Sequence, residues 1–285
     1  MAPRSASRIR LDELLVQRGH TPTREKARAL VLAGRVTAPG LPFLKPGQRV
    51  PDDLQLDVTV GQTFVSRGGL KLDHALTHFR VDPAGAVCAD FGASTGGFTD
   101  CLLQRGANRV YAVDVSYGQL DWRLRGDTRV VVLERTNARF LDRLDEPVSL
   151  TVMDVSFISL RMLLPTILRI SAPGAELVTL VKPQFEAGKG RVGKGGIVRD
   201  PAVHREVLTG LASWLEAAGQ ELVGVTASPI RGAGGNAEFL AHVRLDITRD
   251  GLPTVPLEYT ALAPSTQTEI DTALVDALAV PTGKH

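Results

Sequence analysis

Long apolar runs are missing from this 285-residue sequence: none approaches the ~18–20 residues that a membrane-crossing helix needs. A protein that crosses the membrane by helices is therefore not expected. The opening MAPRSASRIR carries charge with no apolar stretch behind it, so no secretory signal peptide is expected. Cysteine is almost absent. Cys88 and Cys101 can neither staple a fold nor complete a four-ligand zinc site, and both read as core residues. A reducing, cytoplasmic setting without a bound metal is the resulting expectation. Net charge is only +2, too small by itself to announce a nucleic-acid partner. What the sequence does contain, 44% hydrophobic and 22% charged residues, is the balance of a folded protein with one large domain or two unequal ones.

The charge is unevenly spread. Residues 1–35 hold eight basic side chains, among them Arg10, Arg24, Lys26, Arg28 and Arg35, against three acidic ones. Such a stretch is either an electrostatic footprint for phosphate or a solvated helix face, and charge alone does not separate the two. Leu11, Leu14 and Leu15 form a helical stripe that stops at Gly19. A second helix starts with Thr23 as its N-cap, buries Ala27, Leu30 and Val31, and ends at Gly34. Short β-prone pieces follow at 35–38, 48–50 and 54–60, punctuated by Pro-Gly turns. The stretch RLDELLVQRGHTPTREKARALVLAGRV resembles the S-four-like RNA-binding domain, which implies a small α+β module over residues 1–60 that binds RNA.

Residues 61–70 read as a linker ending in Ser66-Arg67-Gly68-Gly69, and a helix follows from about Leu70 with Leu72, Ala75, Leu76 and Phe79 buried. Over 71–250 apolar strands alternate with amphipathic helices, the strands falling at 87–91, 110–113, 130–133, 150–153, 177–181, 222–227 and 239–245. This alternation predicts an α/β fold with a doubly wound, seven-stranded sheet. The last two strands lack a helix between them and should form an antiparallel hairpin at one edge. Asp200-Pro201 opens the best-marked helix and Gly219 closes it. The tail at 251–285 has one weak helix near 266–278 and receives no function.

Asp90-Phe-Gly-Ala-Ser-Thr-Gly-Gly-Phe-Thr-Asp100 follows the first of these strands and opens a helix. Gly92, Gly96 and Gly97 allow a tight turn and close approach of a ligand to backbone amides. Asp114 ends the next strand, 22 residues beyond Gly92, where a carboxylate can take the two hydroxyls of a ribose. The spacing departs from the dinucleotide pattern G-x-G-x-x-G, and it lacks the Gly-Lys-Ser/Thr ending of a triphosphate loop. It resembles the cofactor site of class I (Rossmann-like) methyltransferases. That resemblance implies S-adenosylmethionine, bound by Asp90, Gly92, Ala93, Ser94, Thr95, Gly96, Gly97 and Asp114. Asn137 lies either near the adenine or in an ordinary polar loop.

Asp154 and Lys182 end two further strands, Glu238 begins the last one, and Lys71 begins the helix after the linker. Ligands of open α/β sheets bind beyond the carboxyl ends of the strands, and neighbouring strands ~5 Å apart let Asp154 and Lys182 touch. Singly, each reads as a solvated lip. Read together, Lys71, Asp154, Lys182 and Glu238 resemble the Lys-Asp-Lys-Glu tetrad of FtsJ-like ribose 2′-O-methyltransferases. A ribose hydroxyl is a poor nucleophile, so catalysis consists of aligning it with the methyl and removing its proton. Lys182 is the expected base or oxygen-stabilising group, Asp154 its orienting partner, Lys71 a second positive charge and Glu238 its steering acid. The glycine-rich stretch 188–196, with Lys189 and Arg191, suits clamping of a phosphate backbone, as does Arg67. The stretch 231–236 serves equally well as a flexible linker.

Across residues 8–248 the chain resembles the TlyA (haemolysin A) family, which joins an S-four-like domain to an FtsJ-like methyltransferase domain. The resemblance implies methylation of a cytidine 2′-hydroxyl in 16S or 23S ribosomal RNA, with ribosomal RNA or ribosomal subunits as partner and no membrane. Two other readings stand beside it: a membrane-lytic haemolysin, and a non-catalytic RNA-binding assembly factor.

Overall fold

The structure, a computed structural model, describes residues 8–32, 36–39, 41, 44–58, 64–156, 158–188, 190–193, 195–248 and 262–281. The chain forms two compact units, the second beginning at Phe64. Among the described residues no helix is long and apolar enough to cross a membrane.

In the first unit β1 (Arg8–Arg10) leads directly into α1 (Leu11–Gln17), followed by α2 (Arg24–Leu32), β2 (Val36–Thr37), β3 (Arg49–Pro51) and β4 (Asp57–Val58). Strand β1 pairs antiparallel with β3, and β2 with β4. Leu11, Leu14 and Leu15 meet Ala27 and Val31 in a core closed by Val50. The Thr23 hydroxyl accepts the Lys26 N–H at 3.3 Å, the N-cap that the sequence predicts. The predicted helix end at Gly34, and Arg35 beside it, lie outside the described residues.

The second unit is built on α3 (Gly68–Phe79), β5 (Val87–Phe91), α4 (Gly97–Gln104), β6 (Arg109–Val113), α5 (Trp122–Arg125), β7 (Val130–Leu133) and β8 (Val148–Met153). It continues through α6 (Leu160–Ile170), β9 (Ser171–Val181), α7 (Pro183–Glu186), α8 (Pro201–Ala217), β10 (Glu221–Ala227), β11 (Phe239–Arg244) and α9 (Pro264–Ala279). The seven strands of its sheet run in the order β10-β11-β9-β8-β5-β6-β7. Strands β5 to β9 pair parallel, and β11 lies antiparallel between β9 and β10. Side chains alternate across this sheet because successive residues of a strand point to opposite faces. Leu150 and Val152 join α3 and α4 on one side, while Met153 joins α6, α8 and α9 on the other; a register shift after Val148 turns that residue to the second side as well. Strand order reverses between β5 and β8, which opens a crevice beyond their carboxyl ends.

Two boundaries, the start of this unit and the start of β9, differ from the sequence reading, and the tail, with no role expected of it, is packed. The expected linker at 61–70 and domain start at 71 give way to a unit that begins at Phe64. Phe64 is buried in one core with Leu72 and Phe98, the Val65 N–H donates to Asp100 Oδ2 at 2.8 Å, and α3 opens at Gly68. Ser66-Arg67-Gly68-Gly69 reads as a flexible stretch locally, but contacts made far along the chain order it. The unassigned tail contains α9, whose Ile270, Ala273, Leu274 and Ala277 are buried in the sheet's second core. Strand β9 also starts earlier than expected, at Ser171, which pairs with Val148 of β8 before a register shift; the continuous ladder resumes at Glu176.

Candidate active site

Strand β5 delivers the chain to Gly92, whose φ of 84° lies in the left-handed region. A Cβ there would stand 2.7 Å from the Asp154 carbonyl oxygen, so only glycine lets this turn cross the end of β8. The Ser94 N–H donates to Asp114 Oδ2 at 2.7 Å, and the Ser116 N–H donates to Oδ1 at 2.7 Å. Asp114 thus ties the loop after β5 to the loop after β6. Each of its oxygens keeps a lone pair for a ribose hydroxyl. A cleft of about 400 Å³ opens here, walled by Gly92, Asp114, Val115, Asn137, Ile158 and Leu163. Its polar end and apolar walls suit a ribose and an adenine.

Asp90 lies beneath the loop and lines neither this cleft nor the adjoining one. It is fully buried, and one carboxyl oxygen accepts from the Thr99 hydroxyl at 2.6 Å while the other has no hydrogen-bond partner. Burial pushes its pKa from 3.8 up to about 7, helped by the nearby Asp154 and Asp114 charges and opposed by Thr99. Between those pH values the folded chain holds a proton that the unfolded chain has released, so this group's contribution to stability declines as pH rises from about 4 to 7. Asp90→Asn should therefore unfold at higher urea than the parent at pH 8. The difference should vanish near pH 4 in a matched series of urea melts.

The Lys71 ammonium lies 2.6 Å from Glu238 Oε2, with both side chains buried. Gly232 backs the carboxylate: a Cβ there would fall 2.0 Å from Glu238 Oε1. Lys182 Nζ lies 2.6 Å from Asp154 Oδ1 and donates to the Ser156 hydroxyl at 3.1 Å. Strands β8 and β9 are parallel neighbours, which brings these two strand ends together. Lys71, Asp154 and Lys182 line one cleft of about 360 Å³ with Arg67, Gly92 and Thr95. Glu238 grips Lys71 without lining that cleft. Asp154, Ser156, Gly92 and Ser94 belong to both clefts, so the two clefts meet at Asp154.

Two functional neighbours escaped the sequence reading. Ser156 was legible only as the hydroxyl two residues beyond Asp154. Glu186 accepts from the Ser159 hydroxyl at 2.9 Å and the Leu160 N–H at 3.4 Å, capping α6 and bracing the loop after β8 against that after β9. The basic residues divide. Arg67 is exposed beside the cleft, and Lys26 and Arg28 are exposed on α2. Arg24 is exposed as well, yet it and the half-buried Arg10 are both engaged in ion pairs. Arg10 lies 2.8 Å from buried Asp12, and Arg24 lies 3.1 Å from Glu13 and 3.5 Å from Asp12. The Arg10 guanidinium holds the Asp12 carboxyl below the usual range. Arg191 pairs with Glu206, while Lys189 and Arg35 lie outside the described residues.

The chain resembles known proteins over most of its length. The sequence model of the FtsJ-like methyltransferases matches residues 64–245. A Bacillus subtilis (strain 168) protein named rRNA methyltransferase YqxC is 49% identical over 243 residues, covering 84% of this chain and 86% of that protein. The 16S/23S rRNA (cytidine-2'-O)-methyltransferase TlyA of Mycobacterium tuberculosis (strain H37Rv) is 47% identical over 248 residues, covering 86% and 92%. A solved structure from Streptococcus thermophilus, of a protein named as a hemolysin, superposes with a TM-score of 0.67 at 38% identity, covering 96% of this chain and 98% of that one. The Asp114 carboxylate, the glycine turn and the apolar adenine walls fit S-adenosylmethionine. The chain belongs to the FtsJ-like methyltransferase family, enzymes whose methyl donor is S-adenosylmethionine.

Proposed function

We propose that this protein methylates the 2′-hydroxyl of a cytidine in 16S or 23S ribosomal RNA, and that Lys71, Asp154, Lys182 and Glu238 carry the reaction. The observation behind this reading is the 2.6 Å Lys182–Asp154 pair in the wall of the cleft that also holds Gly92 and Lys71. The activity for which the Mycobacterium tuberculosis relative is named supports the choice of substrate.

Bound S-adenosylmethionine supplies a methyl already activated as a sulfonium. Asp114, Gly92 and the backbone of Ala93 to Gly97 hold it, and Asp90 shapes the loop from below. Lys182 pairs with the Asp154 carboxylate at 2.6 Å and donates to the Ser156 hydroxyl, and its three-donor ammonium keeps a donor for the ribose oxygen. That donor would align the hydroxyl and stabilise its oxygen, while the hydroxyl proton would pass to the Asp154 carboxylate in the same cleft. Lys71, aimed by Glu238, adds the second positive charge at the same oxygen. The name hemolysin carried by a similar protein suggests membrane lysis, and no observation on this chain favours it.

The first unit serves as an RNA grip, with Lys26 and Arg28 as phosphate contacts. Each such contact releases counterions, so the double substitution Lys26→Ala/Arg28→Ala should cut RNA affinity about tenfold near 150 mM salt. It should also flatten the slope of log affinity against log salt by about 2, with S-adenosylmethionine affinity unchanged. Filter binding across a salt series reads both. The overall reading is tested by incubating tritiated S-adenosylmethionine with separated ribosomal subunits and the protein. Incorporation into ribosomal RNA is expected, and none into transfer RNA or protein; absence of incorporation into either subunit or the whole ribosome overturns the assignment.

A further inference from the structure

The segment between β10 and β11 faces two ways. Ile230, Arg231 and Gly232 wall the 360 Å³ cleft, and Gly232 packs against the Glu238 carboxylate. The Arg231 guanidinium points to the other side. It donates to the Ala277 carbonyl at 2.6 Å and to the Val280 carbonyl at 3.0 and 3.2 Å. Ala277 lies in the last turn of α9, whose final carbonyls lack a partner within the helix and form the negative end of its dipole, and Val280 is the residue that caps it. A guanidinium at that end satisfies them with a charge-assisted bond.

The anchor is itself fixed. The buried face of α9 packs under the sheet, Glu269 accepts the Val225 N–H at 3.2 Å, and Asp271 pairs with Arg205. The loop is closed by the Gly232 N–H donating to the Asn236 carbonyl at 3.0 Å. The Asn236 side chain accepts the Val198 N–H at 3.0 Å and donates to the Gly196 carbonyl at 3.0 Å. The stretch 231–236, equally readable in sequence as a loose linker, is thus pinned on both sides.

We propose that Arg231 is a positioning residue: through its clamp on the end of α9 it holds residues 230–232 against Glu238, and so holds Lys71 in the reacting geometry. This gives the C-terminal helix a part in the reaction without contact with substrate, and it rests on the reading above that Lys71 and Glu238 serve that reaction. A misplacement of about 1 Å at a reacting centre can cost about a hundredfold in rate. Arg231→Ala is expected to lower kcat for ribosomal subunits about 10–100-fold. S-adenosylmethionine affinity should stay unchanged, because Asp114, Val115 and Asn137 lie on the other cleft, which Arg231 does not line.

The test compares Arg231→Ala and Arg231→Lys with the parent, all as the full chain, by kinetics, calorimetric S-adenosylmethionine binding and amide hydrogen exchange. Faster exchange at 229–238 and 277–281 with exchange at 90–114 unchanged, kcat reduced, and partial recovery in Arg231→Lys or on adding millimolar guanidinium to Arg231→Ala, are the expected results. Unchanged exchange at 229–238 overturns the clamp. Faster exchange with unchanged kcat overturns the coupling to Lys71, and a parallel fall in cofactor affinity exposes general damage instead of positioning. Should the parent itself transfer no methyl to ribosomal subunits, the substrate reading fails, and the exchange comparison still decides the clamp.

Discussion

Lys182→Ala should reduce methyl transfer by about 10³-fold or more while S-adenosylmethionine binds as before. The expectation follows from the placement of the ammonium. Its side chain is 10% exposed, held at 2.6 Å by Asp154 and at 3.1 Å by Ser156, with the Phe185 ring 5.9 Å away. Among the described residues from β9 to α7, Lys182 alone lines the cleft it shares with Lys71. An alanine leaves the adenosine cleft intact, since Lys182 is not among the residues that wall it. Lys182→Arg should rescue poorly, because a planar guanidinium cannot direct one donor to the hydroxyl while satisfying Asp154 and Ser156 as the ammonium does. Equilibrium dialysis with labelled cofactor and single-turnover transfer measure the two quantities separately. Parallel loss of both would show that Lys182 holds the cofactor instead of the hydroxyl.

Lys71→Ala should have two large effects, one on activity and one on stability. Its partner Glu238 has a side chain only 3% exposed, and removing the ammonium leaves that carboxylate buried without its 2.6 Å ion-pair partner. Breaking a buried pair in this way costs about 3–5 kcal/mol. In a unit of this size that lowers the thermal midpoint by about 10 °C, at roughly 2–4 °C per kcal/mol. Replacing both members, as in Lys71→Met/Glu238→Leu, removes the uncompensated charge and should return most of the stability. It should not return turnover. Calorimetry and transfer assays on the single and double variants therefore separate the pair's structural cost from its chemical use. Recovery of activity in the double variant would remove Lys71 and Glu238 from the reaction.

Much of the methyltransferase unit was legible because its signals are local. Runs such as 87–91 and 130–133 are apolar and bounded by turn residues, and they form β5 and β7 over the same residues. Asp154 and Lys182 could be paired on paper because both follow apolar strands that a doubly wound sheet sets side by side. The Lys71–Glu238 bond joins residues 167 apart and has no local signature; only the family pattern suggested that the two act together. Long-range contact also explains the misreadings. Ser66-Arg67-Gly68-Gly69 looks flexible until Phe64 and Asp100 order it, and Arg10 and Arg24 look free until Asp12 is buried between them. α9 carries a weak amphipathic pattern because one face packs on β10 and α8, and its link to the cleft runs through Arg231 alone among the contacts described above.

The most direct test of the account is the chemical position of the transferred methyl. A methyl on the ribose 2′-oxygen blocks that oxygen's attack on the neighbouring phosphate, so alkaline hydrolysis leaves the labelled site as a resistant dinucleotide. Ribosomal RNA labelled by this protein should release its tritium in such dinucleotides, with cytidine on the 5′ side, and RNA treated with the Lys182→Ala variant should carry almost none. Tritium recovered in ordinary mononucleotides would mean a base is methylated, and the arrangement of Lys71, Asp154, Lys182 and Glu238 would need another explanation.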